Sequence, residues 1–141
     1  MAAKGNAEWN GDLKSGHGTF TAGDTISGEY SFRSRFEDGP GANPEQLVAA
    51  AHASCFSMAL SNALAQAGST AEFVRTHATV SLGPVDGNTT INKIHLVTEG
   101  KVPGIDEPTF QRFAAEAKTG CPISRALAAV PEVTLEAKLV N

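Results

Sequence analysis

The segment from Asn43 to Gly68 constrains the fold more than any other part of this chain. Asn43 suits an N-cap, Pro44 the first helical position, and Gln46 can close a capping box, so a helix should begin here. Gly68 supplies the stop, which predicts a helix running to about Ala67. Alanines at 49, 50, 51, 53, 59, 63 and 65 leave little polar surface on any side. A helix apolar nearly all round belongs in the middle of a fold or at a close subunit contact. Gln, His, Ser and Asn interrupt its apolar run, which favours a core helix over a membrane span.

The flanking sequence is strand-like. Trp9 leads into Asn10-Gly11, a hairpin signal, and His17–Thr21 alternates as a second strand. Ile26 to Phe32 reads as a third strand, with Arg33 and Arg35 at its end, and Glu37–Ala42 is a loop by composition. Beyond the helix, Phe73–Leu82 and Thr90–Thr98 form a hairpin around Asp86-Gly87. Pro108–Lys118 is an amphipathic helix ended by Gly120, Pro122–Ala129 a short helix, and Val133–Val140 a last strand. Strands and helices segregate in the order β-β-β-α-β-β-α-α-β. The expected class is α+β, with antiparallel sheets around the long apolar helix. At 141 residues the expectation is one domain over residues 1–141.

Bulk properties exclude several function classes. Hydrophobic content of 41% and charge of 18% are globular values. A net charge of -4 with scattered basic residues argues against a nucleic-acid partner. Met1–Gly5 carries no apolar signal core, so a reducing cytoplasm is the expected compartment. The four histidines and two cysteines show no metal-ligand spacing, and no glycine-rich nucleotide loop or nucleophile elbow is present. No metal or cofactor is expected.

Two lone cysteines in such a composition point to redox chemistry more than to scaffolding. Cys121 stands between Gly120, a helix stop, and Pro122, a helix start. As an N-cap its sulfur would face unpaired amides, a setting that lowers a thiol pKa and exposes it for exchange. A small hydrophobe near a turn is the competing reading, and position alone leaves both open. Cys55, among Ala53, Phe56 and Ala59, reads by itself as inert packing. Its thiolate would need a cation, for which Arg35 is a candidate, and Glu45 could hold that arginine in a bidentate pair while also complementing the helix dipole. His52 shares a helix face with Cys55, but a lone core histidine is more often hydrogen-bonded structure, so it is not assigned a catalytic role.

The run Arg35-Phe-Glu, then Asn43-Pro-Glu-Gln through Ala51-His52-Ala53-Ser54-Cys55-Phe56-Ser57-Met58, strongly resembles the OsmC/Ohr family of thiol peroxidases. Val102-Pro-Gly-Ile-Asp and Lys118-Thr-Gly-Cys121-Pro-Ile-Ser look like the same family, closest to its OsmC branch. The resemblance implies an OsmC-like fold in an intertwined homodimer. It reverses the reading from position alone: the resemblance implies that Cys55 is the peroxidatic cysteine and Cys121 the resolving one. Arg35 would stabilise the thiolate and orient the peroxide, with Glu45 as its carboxylate partner. The implied substrate is an organic hydroperoxide, with hydrogen peroxide a poorer one, and an external dithiol is the implied reductant. The implied setting is osmotic or oxidative stress. A dithiol redox sensor and a non-enzymatic stress or ligand-binding protein are the alternatives.

Overall fold

The computed structural model describes residues 1–141, which separate into two compact units, Met1–Leu47 and Val48–Asn141. In the first unit, β1 (Gly5–Asn10), β2 (His17–Ala22) and β3 (Ile26–Tyr30) form an antiparallel sheet in sequential order. The expected hairpin exists, but its turn is not the two-residue Asn-Gly type. Asn10 pairs with His17, leaving a loop from Gly11 to Gly16. Asp12 organises that loop: its carboxylate accepts from the Lys14 and Ser15 amides at 2.9 and 2.8 Å, while Trp9 Nε1 donates to the Gly11 carbonyl at 3.0 Å. A local side-chain turn has outcompeted the tighter one.

The third strand stops at Tyr30, short of the expected Phe32. Residues Phe32–Phe36 instead form a one-turn helix, α1. Ser31 and Ser34 cap it reciprocally, the Ser34 amide donating to Ser31 Oγ at 3.1 Å and the Ser31 amide to Ser34 Oγ at 2.8 Å. Ser34 Oγ also donates to the Ala42 carbonyl at 2.7 Å, fastening the following loop to α1. Arg35 therefore projects from a helical turn rather than from a strand end.

The long helix α2 spans Pro44–Gln66, and both ends follow the sequence. The Gln46 amide donates to Asn43 Oδ1 at 2.9 Å, and Asn43 N–H donates to Gln46 Oε1 at 3.2 Å. At the other end Gly68 has φ +90, with Gly68 N–H bonded to the Ala65 carbonyl and Ser69 N–H to that of Leu64. Those are the paired bonds of a Schellman stop.

In the second unit β4 (Phe73–Val85) and β5 (Asn88–Lys101) are an antiparallel hairpin. Its turn residues, Asp86 and Gly87, both have positive φ, as the Asp-Gly signal requires. Helices α3 (Glu107–Gly120) and α4 (Pro122–Ala126) lead to β6 (Glu132–Leu139), which pairs with β5 in parallel. The second sheet is thus mixed, not wholly antiparallel, because α3 and α4 form a crossover that carries the chain back to the end of the sheet where β5 begins, so that β6 runs parallel beside it on the edge opposite β4. Gly120 lies inside α3; the cap is Cys121.

The core of this unit joins Phe56, Leu60 and Leu64 of α2, Ile94 and Leu96 of β5, and Phe110, Ala114 and Ala117 of α3. His52, Phe56, Leu60 and Leu64 recur every four residues as the fully buried stripe of α2. By length and composition α2 would suffice to cross a bilayer, but this stripe packs into the core. The rest of the helix is less covered, and Met58 is 77% exposed. Gly100 is required by packing: a Cβ there would lie 2.6 Å from the Phe110 ring.

Candidate active site

In the first unit, Arg35 comes from α1 and Glu45 from the first turn of α2. Arg35 Nη2 donates to Glu45 Oε1 at 2.7 Å, and Nε lies 3.2 and 3.3 Å from the two carboxylate oxygens. The fork geometry fixes the guanidinium plane as well as its position. Glu45 is only 8% exposed, while the Arg35 side chain keeps a third of its surface open. Arg35 also stands over the Phe36 ring and edges a cavity of about 440 Å³ walled by Trp9, Tyr30, Phe32 and Phe36. This region presents an anchored cation beside an aromatic surface.

The second unit holds both thiols, unlinked. Cys55 is half-buried on α2. Cys121 is the C-cap of α3 and the N-cap of α4, with extended backbone at φ -66 and ψ 144. Its sulfur accepts from the Ser124 amide at 3.3 Å, as an N-cap should. The same sulfur donates to Ser124 Oγ at 3.0 Å. One expectation needs correction: Cys121 is 1% exposed, not open for exchange, because the α3–α4 corner packs into the core cluster.

Cys121 lies close enough to act on Cys55. Burial pushes the Cys55 thiol above its ordinary range, the Ile123 amide pulls it down, and the adjacent Cys121 thiol pushes it up again. The net direction is upward. Cys55 as held by the second unit is a resting thiol that calls for a positive group to ionise it.

Ser124 and His52 escaped assignment from sequence. His52 Nε2 lies 2.8 Å from Ser124 Oγ, so the path Cys121–Ser124–His52 is continuous. His52 is fully buried, and burial holds its pKa below the usual histidine value. Its Nδ1 has no protein partner. The ring therefore departs from the satisfied structural histidine that the sequence suggested. The available signal for Ser124 was its N3 position in Cys-Pro-Ile-Ser, where a capping serine belongs.

A family profile described as OsmC-like protein matches residues 37–136. The chain is 48% identical to Peroxiredoxin OsmC of Escherichia coli (strain K12) over 138 residues, 96% of this chain and 95% of that one. The chain belongs to the OsmC branch of the OsmC/Ohr family. Solved structures agree on the fold. The organic hydroperoxide resistance protein OhrB of Bacillus subtilis superposes with a TM-score of 0.73 at 26% identity, covering 99% of this chain and 98% of that one. The OsmC-like protein of Mycoplasma pneumoniae gives 0.75 at 21% identity, covering 100% and 99%.

Proposed function

We propose that this OsmC-family chain is a peroxiredoxin-like enzyme, a thiol peroxidase that reduces organic hydroperoxides and, less well, hydrogen peroxide. The observation that carries the reading is the placement of two unlinked thiols close enough for Cys121 to act on Cys55, which is half-open on a long helix. The names of its relatives, a peroxiredoxin and an organic hydroperoxide resistance protein, support the same class.

In the proposed cycle the Cys55 thiolate attacks the distal oxygen of R–OOH, the O–O bond breaks, and R–OH leaves after protonation. Cys55 becomes a sulfenic acid. The Cys121 sulfur then displaces hydroxide from it, giving a Cys55–Cys121 disulfide and water. An external dithiol returns both thiols by exchange. Arg35 is the proposed cation for the thiolate and the peroxide, and Glu45 the group that keeps its guanidinium in one plane. A fixed cation offsets the burial that raises the Cys55 pKa. The aromatic wall beside Arg35 favours a substrate with an apolar body over hydrogen peroxide.

The proposed assembly is a homodimer. A helix whose buried stripe leaves Met58 and several alanines uncovered supports it. The proposed compartment is a reducing cytoplasm, where the dithiol cycle can turn over.

Peroxide consumption with dithiothreitol as reductant tests the reading. Cumene hydroperoxide should be consumed faster than hydrogen peroxide, and Cys55→Ser should abolish turnover while keeping the wild-type circular dichroism. Consumption unchanged in Cys55→Ser would refute the enzyme and leave a binding role as the alternative.

A further inference from the structure

The proposed cycle asks Cys121, a buried thiol, to lose a proton when it attacks the Cys55 sulfenic acid, and it leaves that proton without a destination. Bulk water is not at hand, since Cys121 is 1% exposed. The hydrogen bonds supply a route. Cys121 Sγ donates to Ser124 Oγ at 3.0 Å, and Ser124 Oγ lies 2.8 Å from His52 Nε2. The directions are consistent, because a sulfur that donates to Ser124 Oγ leaves the serine proton free to point at Nε2.

His52 is suited to receive it. Burial keeps the ring neutral, so Nε2 presents a lone pair to Ser124, and because burial disfavours the imidazolium the proton is held only in passing. Its Nδ1 is buried with no protein partner, so the link to Ser124 is the ring's polar tie to the protein. An orphaned ring nitrogen in a core costs stability and calls for an explanation. The ring also borders a cavity of about 380 Å³ together with Ser124. The charged groups on that cavity are Lys118 of α3 and Arg125 of α4; β6 contributes Val133 and no titratable group. Cys55 lies three residues along the ring's own helix, and Cys121 reaches the ring through Ser124.

We infer that Ser124 and His52 are positioning residues that relay the Cys121 proton during disulfide formation. The inference rests on the proposed peroxidase cycle. As the Cys121 sulfur attacks, its proton passes to Ser124 Oγ while the serine proton passes to His52 Nε2. The new S–S bond forms, the S–O bond of Cys55 breaks, and hydroxide departs with the bonding pair. The imidazolium then gives its proton up and the departing hydroxide is protonated, so the proton count closes on one water. Cys55 sulfur is reduced, Cys121 sulfur is oxidised, and one water is released.

The test follows the two chemical steps separately by intact mass after a single equivalent of cumene hydroperoxide. Ser124→Ala should form the Cys55 sulfenate, trapped with dimedone, at the wild-type rate. Its disulfide should form about a hundredfold more slowly, the lower part of the range for positioned proton transfer. Wild-type disulfide formation should be nearly flat with pH, whereas Ser124→Ala should gain about tenfold per pH unit up to the ordinary thiol range. Ser124→Thr, which keeps the hydroxyl, should recover most of the rate. Imidazole added to His52→Ala should restore part of it by entering the enlarged cavity. A second arm needs no peroxide: in a Cys55→Ser background, iodoacetamide should alkylate Cys121 more slowly when Ser124 is alanine. Unchanged alkylation, or a wild-type disulfide rate with a flat pH profile in Ser124→Ala, would overturn the relay. Slower alkylation in the Ser124→Ala arm, together with a Cys55-containing protein that forms no sulfenate, would keep the Cys121–Ser124 contact and remove the peroxidase cycle, and the relay with it.

Discussion

The Arg35–Glu45 region and the Cys55–Cys121 region manage polarity in opposite ways. The first concentrates full charge: a buried carboxylate at a helix start holds a guanidinium by fork-like contacts at 2.7 to 3.3 Å, with one side open beside aromatic rings. The second contains no full charge among its bonded groups. It is a line of weakly polar neutral partners, the Cys121 thiol, a hydroxyl and an imidazole kept neutral by burial, with the half-buried Cys55 beside it. A fixed charge is what a developing thiolate and a polar substrate need, whereas a neutral hydrogen-bonded line is what proton movement needs. In the proposed cycle, charge stabilisation falls to one region and proton handling to the other.

Substitutions that separate these roles should differ in size and in which step they slow. The largest effect belongs to Cys55→Ser, with no peroxide consumed above a free-thiol background. Arg35→Ala should lower the peroxide step about a hundredfold or more, the loss expected for one positioned charge-stabilising group, while leaving any preformed disulfide as readily reduced. Stopped-flow oxidation against peroxide concentration would read it. Glu45→Gln keeps the shape and loses the charge, so a smaller loss of rate is expected, with stability lowered by about 1–3 kcal/mol in urea unfolding. Gly100→Ala touches neither region. Its Cβ would meet the Phe110 ring, so it should cost about 1–3 kcal/mol of stability and leave the rate per folded molecule unchanged.

The smallest effect is a pH dependence. His52 is neutral and buried, with a pKa below that of the unfolded chain. Below about pH 6.5 the unfolded state binds a proton that the folded state refuses, so stability should fall as pH drops through that value. Above it the ring contributes no slope. His52→Gln should flatten this part of the urea midpoint against pH; an unchanged slope would place the titration at another group.

The sequence was informative where structure is local. The Asn43–Gln46 box, the Gly68 stop and the Asp86-Gly87 turn each depend on side chains a few positions apart, and each formed where the residues indicated. Local signals also competed, and there the reading slipped. Asp12 drew the first hairpin into a longer loop, and the Ser31–Ser34 box turned a supposed strand end into α1. Long-range pairing was out of reach: nothing local to Glu132–Leu139 says that this strand joins β5 in parallel. The site divided the same way. Cys55, Arg35 and Glu45 carried family wording, and Cys121 had its capping position. The link from His52 to Ser124 closes over 72 residues of chain and left no sequence pattern to notice.

The central claim is that Cys55 and Cys121 are the two ends of one peroxide-driven reaction. The most direct measurement is peptide mapping by mass spectrometry after the reduced protein meets one equivalent of cumene hydroperoxide for a single turnover. The account predicts a Cys55–Cys121 cross-linked peptide within that turnover, a trapped Cys55 sulfenate in Cys121→Ser, and neither in Cys55→Ser. Two thiols still free, or oxidised no faster than a thiol in solution, would contradict it.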